Sequence, residues 1–224
     1  MEFKRKEESK INIVPKETSK FHAEQIAKVF SVKEKRIPFT HQETPANCGP
    51  LAIVNGLRAL AEVNKKFNLP KDFPLSSKGI RELLAKEEVL RKSYKGTEHD
   101  EEIKKDTYAL QGEHLSNILK KISQEANIVI RVDRFSNPIF ISPEDLAERV
   151  KNSDWILSHK DYHYTSFIKL DGDTWVSLDS MSDRPTEVSQ NFIEGSFKDV
   201  LPKVMPMFVA LKVEDKPKIN IIKK

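Results

Sequence analysis

The only cysteine of the chain, Cys48, sits in Gln42-Glu43-Thr44-Pro45-Ala46-Asn47-Cys48-Gly49-Pro50, just ahead of the apolar run Leu51-Ala52-Ile53-Val54. That placement predicts a sulfur at the start of a buried helix, where the positive end of the macrodipole stabilises the nucleophilic thiolate. Pro50 suits a first helical turn, whose backbone N–H has no partner in any case, and Gly49 lets a substrate backbone approach. Gln42, six residues before the cysteine, carries an uncharged N–H donor able to hold the oxyanion formed when a thiolate attacks a carbonyl. The plainer reading of Cys48 is a small core residue.

The other groups such chemistry needs lie more than a hundred residues further on, in the stretch from Tyr162-His163-Tyr164 to Leu178-Asp179-Ser180. Two β-rich runs there flank an Asp171-Gly172 turn signal, which predicts a hairpin. With a three-residue loop of Leu170, Asp171 and Gly172, glycine in the left-handed position, His163 and Asp179 face each other directly. A two-residue turn shifts the register by one, sets the pair on a diagonal and puts their side chains on different faces unless a bulge restores the parity. Cysteine catalysis asks for a thiolate, an imidazole to accept and return its proton, and a third group that fixes the ring. Cys48, His163 and Asp179 supply one of each. As purely structural residues, His163 is a hydrogen-bonded group at a strand start and Asp179 caps the turn before Ser180-Met181-Ser182. His159 competes as base, but His159-Lys160-Asp161-Tyr162 reads as a loop entering the strand. Gly49, Tyr162 and Tyr164, which border the cysteine and the histidine, are the candidate substrate contacts.

The order Gln42, Cys48, His163, Asp179 resembles the papain-like (clan CA-type) cysteine peptidase superfamily. The six-residue spacing from Gln42 to Cys48 and the phrase HYTSFIKLDGDTWVSLDS are similar to bacteriocin-leader peptidases, and WVSLDSMS resembles Josephin deubiquitinases and ubiquitin-like-protein proteases. The likeness covers Gln42 to Leu60 and Trp155 to Ser180. It departs from Josephin domains in the glutamine spacing and in Pro50, where they carry a histidine, and from leader peptidases in having no transporter. The resemblance implies an α+β papain-like fold, a helical half with the cysteine at a helix N-terminus packed on an antiparallel sheet carrying histidine and aspartate. It also implies hydrolysis of peptide or isopeptide bonds with no cofactor or metal. A domain with no signal segment, propeptide or transporter is expected to act on a selective protein target, foremost ubiquitin or a ubiquitin-like protein. The acidic connector with Glu98, Asp100, Glu101 and Glu102 offers partners for the arginines of ubiquitin's tail, though such surface pairs are worth little. Glutamine deamidation or transglutamination by the same triad, and a catalytically silent peptide-binding module, are the alternatives.

Composition fits a compact enzyme acting in the cytosol, or in a host's cytosol as a bacterial effector. In 224 residues no apolar run approaches the roughly 20 needed to span a bilayer, so no membrane insertion is expected. Met1-Glu2-Phe3-Lys4-Arg5-Lys6 leads into charge instead of a signal segment. One cysteine excludes an internal disulfide. The 38 basic and 34 acidic residues give a net charge of +4 and a pI near 8.9. The lysines gather at the ends, including Lys216, Lys218, Lys223 and Lys224, with no concentrated basic face for nucleic acid.

These groups must be held by elements read from periodicity. Residues 1–20 form a polar extension, 21–214 one domain and 215–224 a basic tail, with Ile11 to Val14 a short strand and Phe21 to Val29 of helical spacing. A helix is expected from Cys48 to about Lys65, burying Leu51, Val54, Leu57, Leu60 and Ala61. Asn55 returns to the face of Cys48, as a polar cap or a bond near the site. Further helices are expected at Ser77 to Arg91, Gly112 to Ala126 and Pro143 to Val150, the last capped by Ser142 with Pro143 in the first turn. Strands are expected at Ile128 to Val132, Trp155 to Leu157 and Met207 to Val213, beside the histidine hairpin.

Overall fold

A computed structural model describes residues 27–42, 47–69, 73, 75–86, 129–135, 142–160, 163–198 and 207–214. The expectations for the polar extension, the strand at Ile11, the helix at Gly112, the acidic connector and the basic tail lie outside those residues. The described chain opens with a hairpin of β1 (Lys28–Val32) and β2 (Lys35–Phe39), followed by helices α1 (Cys48–Val63) and α2 (Ser77–Lys86). Strand β3 (Val129–Phe135), helix α3 (Pro143–Lys151) and strands β4 (Trp155–Lys160), β5 (His163–Asp171), β6 (Thr174–Asp179) and β7 (Thr186–Ser189) come next. Helix α4 (Gln190–Lys198) and strand β8 (Met207–Glu214) complete it. The six later strands form one antiparallel sheet in the order β3-β8-β4-β5-β6-β7.

Alternation along these strands sorts their side chains between two cores. Trp155, Leu157, Tyr164, Ile168, Val176, Leu178, Val209 and Leu211 join Ala52, Ile53, Leu57 and Leu60 of α1 in the larger. Ile156, Phe167, Trp175 and Ala210 join Leu146, Val150 and Ile193 of α3 and α4 in the smaller. The fold is α+β, with helices against both faces of the sheet; the expected division into one helical half and one sheet half holds for α1 and α2 alone.

Helix α1 ends two residues short of Lys65, where the N–H of Asn64 bonds Leu60 O at 2.8 Å, and Ala61 is only half-buried. Its seat on the sheet depends on Gly56. A Cβ there would stand 2.4 Å from the Trp155 ring, so only glycine lets the helix lie against the indole. The indole Nε1–H donates to Ser166 Oγ (3.0 Å), and Ser166 Oγ donates to Ala52 O (2.6 Å). This chain of bonds fixes the helix one turn beyond Cys48.

Of the helical reading of Phe21 to Val29, residues 21–26 lie outside the described ones, and Lys28 and Val29 are instead strand, the start of the hairpin β1–β2. Its two turn residues, Lys33 and Glu34, have φ of 45° and 63°. Neither is the glycine or asparagine that advertises such a turn. Lys33 at the tip pairs with Glu187 (3.3 Å) and donates to Thr174 Oγ1 (3.3 Å), while Ile37 and Phe39 are buried in the larger core. Pairing and burial outweigh the local pattern. Strand β7 and helix α4 were not anticipated: Thr186–Ser189 alternates weakly, and α4 follows it with no connecting residue.

The third helix forms with its expected cap, Ser142 Oγ accepting from Asp145 N–H at 3.1 Å. Strand β4 runs on to Lys160, so His159 belongs to a strand and not to the expected loop; its ring stacks on Tyr164, centroids 4.3 Å apart. No helix among the described residues is long and apolar enough to cross a membrane.

Candidate active site

The β5–β6 hairpin departs from the three-residue loop that would oppose His163 and Asp179. Asp171 pairs with Thr174 around the two-residue turn Gly172-Asp173, with Gly172 at φ 43°. Lys169 then pairs with Trp175, leaving Leu170 as an extra, unpaired residue. From there the ladder runs to Thr165 opposite Asp179. The bulge restores the parity that a bare two-residue turn would have lost. His163, two residues before Thr165, therefore shares a face with Asp179 and lies on its diagonal, and His163 Nε2 meets Asp179 Oδ1 at 2.7 Å.

Asp179 performs the turn-capping role as well. Its Oδ1 accepts the N–H of Met181 at 2.9 Å, and its carbonyl accepts the N–H of Ser182 at 2.9 Å. The hydrogen bond from His163 holds the carboxyl below its ordinary range against the opposing effect of burial. A carboxylate fixed at that turn is already in place for the ring.

Cys48 comes to the same point from the opposite side of the sheet. It is the first residue of α1, 6% exposed, and near enough to the His163 side chain for that ring to act on its thiol. With Nε2 directed at Asp179, Nδ1 is the ring nitrogen left for the sulfur. The first turn of α1 has no acidic residue, and Asn47 makes no side-chain cap to its N–H groups, so the positive end of the helix is left to the sulfur. Burial pushes the Cys48 thiol up, but the bond from His163, the N–H of Tyr164, the charge of His163 and the N–H of Gly49 together bring it below its ordinary value. His163 moves the other way. Its bonds to Asp179 and Cys48 and the two negative charges overcome burial and raise it to about 9. The lowered thiol and the raised imidazole both favour a thiolate beside an imidazolium, the form that attacks carbonyl carbon.

Gln42 is placed by two clamps. Asn55, fully buried on α1, accepts the N–H of Thr40 through Oδ1 and donates from Nδ2 to Thr40 O, each at 2.9 Å. Its bonds thus go to the backbone leading into Gln42, not to the sulfur. Arg58, one turn on, donates to Thr40 Oγ1 (2.9 Å) and Leu75 O (2.7 Å), and burial lowers its pKa to about 10, so it stays charged. At the other end, Gln42 N–H bonds Ser180 O (2.8 Å), and Ser180 Oγ donates to Gln42 Oε1 (2.6 Å). Asn55 and Ser180 are thus the polar residues that hold Gln42 and the backbone leading into it. The signal available for Ser180 was a hydroxyl directly after Asp179, at a position whose alternation turns it toward α1.

Of the expected substrate contacts, Gly49 lies buried beside the sulfur and Tyr162 is outside the described residues. Tyr164 is 4% exposed, its ring stacked on His159 and its backbone N–H at Cys48. No group of three or more histidine, cysteine, aspartate or glutamate side chains that could hold a metal occurs among the described residues.

No protein-family model matches the sequence, and no curated protein does. Among solved structures, UfSP from C. elegans overlaps 86% of this chain and 35% of its own, at 8% identity and a TM-score of 0.45. The chain thus spans about a third of that protein's length, and an overlap of this size assigns neither fold family nor activity.

Proposed function

We propose that this protein is a papain-like cysteine peptidase in which Cys48 is the nucleophile, His163 the acid and base, Asp179 the group that orients the ring, and Gln42 an oxyanion donor. The observation that carries the reading is the junction of Cys48, His163 and Asp179, assembled from a helix and two strands distant in sequence. The thiolate adds to a carbonyl carbon, and the electron pair of the C=O bond moves to oxygen. The N–H of Cys48 and the amide N–H of Gln42 meet that charge. When the C–N bond breaks, His163 gives its proton to the departing amine. His163 then takes a proton from water, which adds to the thioester carbon and releases the acid and the sulfur. Asp179 accepts from Nε2–H throughout, so Nδ1 remains the nitrogen that exchanges the proton.

The substrate class we assign is ubiquitin or a ubiquitin-like protein joined through a peptide or isopeptide bond, on the likeness of WVSLDSMS to proteases of that kind. The test is a ubiquitin probe with a C-terminal electrophile, run beside probes built on the main ubiquitin-like proteins. One of them is expected to form an adduct at Cys48, and Cys48→Ala is expected to lose it while keeping the fold. If none labels Cys48 although iodoacetamide alkylates it faster than a free thiol at the same pH, the substrate assignment fails and the nucleophile stands. If iodoacetamide is no faster than with a free thiol, the enzymatic reading fails.

A further inference from the structure

Resting on the peptidase reading, we propose that Ser180 is a positioning residue that selects which end of the Gln42 carboxamide faces the reacting carbonyl. A glutamine side chain presents an acceptor and a donor of nearly equal size, and only the donor can stabilise an oxyanion. Left to itself, the terminal torsion of Gln42 is broad and allows both orientations. In the structure the Ser180 hydroxyl donates to the acceptor end. That hydroxyl is fully buried and sits 2.6 Å from Gln42 Oε1. With the oxygen held on this side, Nε2 is turned away from Ser180, and its N–H bonds have no acceptor among the described residues.

The same residue fixes the backbone of Gln42, whose N–H bonds Ser180 O at 2.8 Å. Ser180 also follows Asp179 directly, on the turn that Asp179 closes through Met181 N–H. Alternation sends the Asp179 carboxylate toward His163 and the Ser180 hydroxyl toward Gln42. One tight turn at the end of β6 thereby aligns the imidazole and the oxyanion donor together. Neighbouring bonds brace it: Asn55 holds Thr40, and His41 Nδ1 lies 3.2 Å from Ser182 O.

Two small reagents separate this role from a structural one. Iodoacetamide alkylates the thiolate by displacement of iodide and develops no oxyanion. p-Nitrophenyl acetate acylates it: the sulfur bonds the acetyl carbon, the carbonyl oxygen takes up and returns the charge, and p-nitrophenolate leaves. Ser180→Ala removes the hydroxyl and keeps the backbone bond. It is expected to slow acylation about tenfold or more, up to the roughly hundredfold to thousandfold that outright loss of an oxyanion donor costs, while alkylation and its pH dependence match the parent. Ser180→Thr, which keeps the hydroxyl, is expected to acylate near the parent rate. In a Gln42→Ala background, Ser180→Ala is expected to add nothing further, because it acts through that side chain.

Equal slowing of acylation and alkylation in Ser180→Ala would mean that the residue merely supports the turn, and overturns the proposal. So would unchanged acylation, a threonine variant as slow as alanine, or a full additional loss when Gln42 is absent. Failure of the peptidase reading looks different: parent Cys48 is then alkylated no faster than a free thiol, and the proposal falls with it.

Discussion

His163 and Asp179 are diagonal neighbours across β5 and β6, with Thr165 in the place opposite the carboxylate, and the ring spans the diagonal to 2.7 Å. Replacing Asp179 by asparagine keeps the shape but presents either an amide N–H or a weaker acceptor to Nε2. His163 then titrates nearer its ordinary value, and the sulfur loses its charged neighbour. Peptidase turnover is expected to drop on the order of a hundredfold to ten-thousandfold, the usual worth of a positioned acid and base. A variant with the parent's turnover would show that the carboxylate does no more than cap its turn.

The extra residue Leu170 makes a second, less intuitive prediction. Because it is unpaired, deleting it leaves Asp171 against Thr174 and brings Lys169 against Trp175 without a bulge. Every pairing from there to Asp179 is preserved. The deletion is expected to cost some stability through the lost apolar contact, yet to leave iodoacetamide alkylation of Cys48 close to the parent rate. Loss of that reactivity in a folded deletion variant would count against the register as described.

The opposite shifts of Cys48 and His163 set the pH response. As pH rises through the lowered value of the thiol, the thiolate forms beside a still-protonated ring, and both alkylation and peptidase turnover climb. Near pH 9 the imidazolium gives up its proton. Turnover, which needs that proton for the departing amine, then falls, while alkylation, which does not, stays high. A bell-shaped turnover profile with a plateau for alkylation is the expected pair of curves. An alkylation curve centred on the ordinary thiol value would refute the ion pair.

Gly56 is the place where packing governs the site from a distance. Gly56→Ala drives a methyl group into the Trp155 ring, and the helix must lift or the indole must leave its bond to Ser166. Overpacking of this kind costs about 1–3 kcal/mol, readable as a lower urea midpoint. Since α1 carries Cys48 at its N-terminus, alkylation is expected to slow as well. An alanine variant with unchanged midpoint and unchanged alkylation would mean that the contact relaxes without moving the helix.

Much of the molecule was legible from local chemistry. Helix α1 announces itself through an apolar face, a proline in its first turn and a cysteine at its start; α3 does so through Ser142 and Pro143. The hairpin that bears His163 and Asp179 follows from two β-rich runs around Asp171-Gly172. These signals act within a few residues, where sterics, alternation and hydrogen bonding to the nearest backbone decide the outcome.

What the chain alone left open depends on contacts between distant segments. The parity of His163 and Asp179 turned on a bulge at Leu170 that no residue type announces. The β1–β2 hairpin turns on Lys33 and Glu34 in conformations costly for side chains, held because Ile37 and Phe39 reach the core and Lys33 reaches Glu187. Asn55 and Ser180 looked like ordinary polar residues until folding set them against Thr40 and Gln42. Sequence singled out Gln42, Cys48, His163 and Asp179 as the candidate site. Tertiary structure decided their direction, because the free energy of one orientation over another comes from partners on other elements, 15 or 16 residues away for Asn55 with Thr40 and His163 with Asp179, and 138 for Ser180 with Gln42.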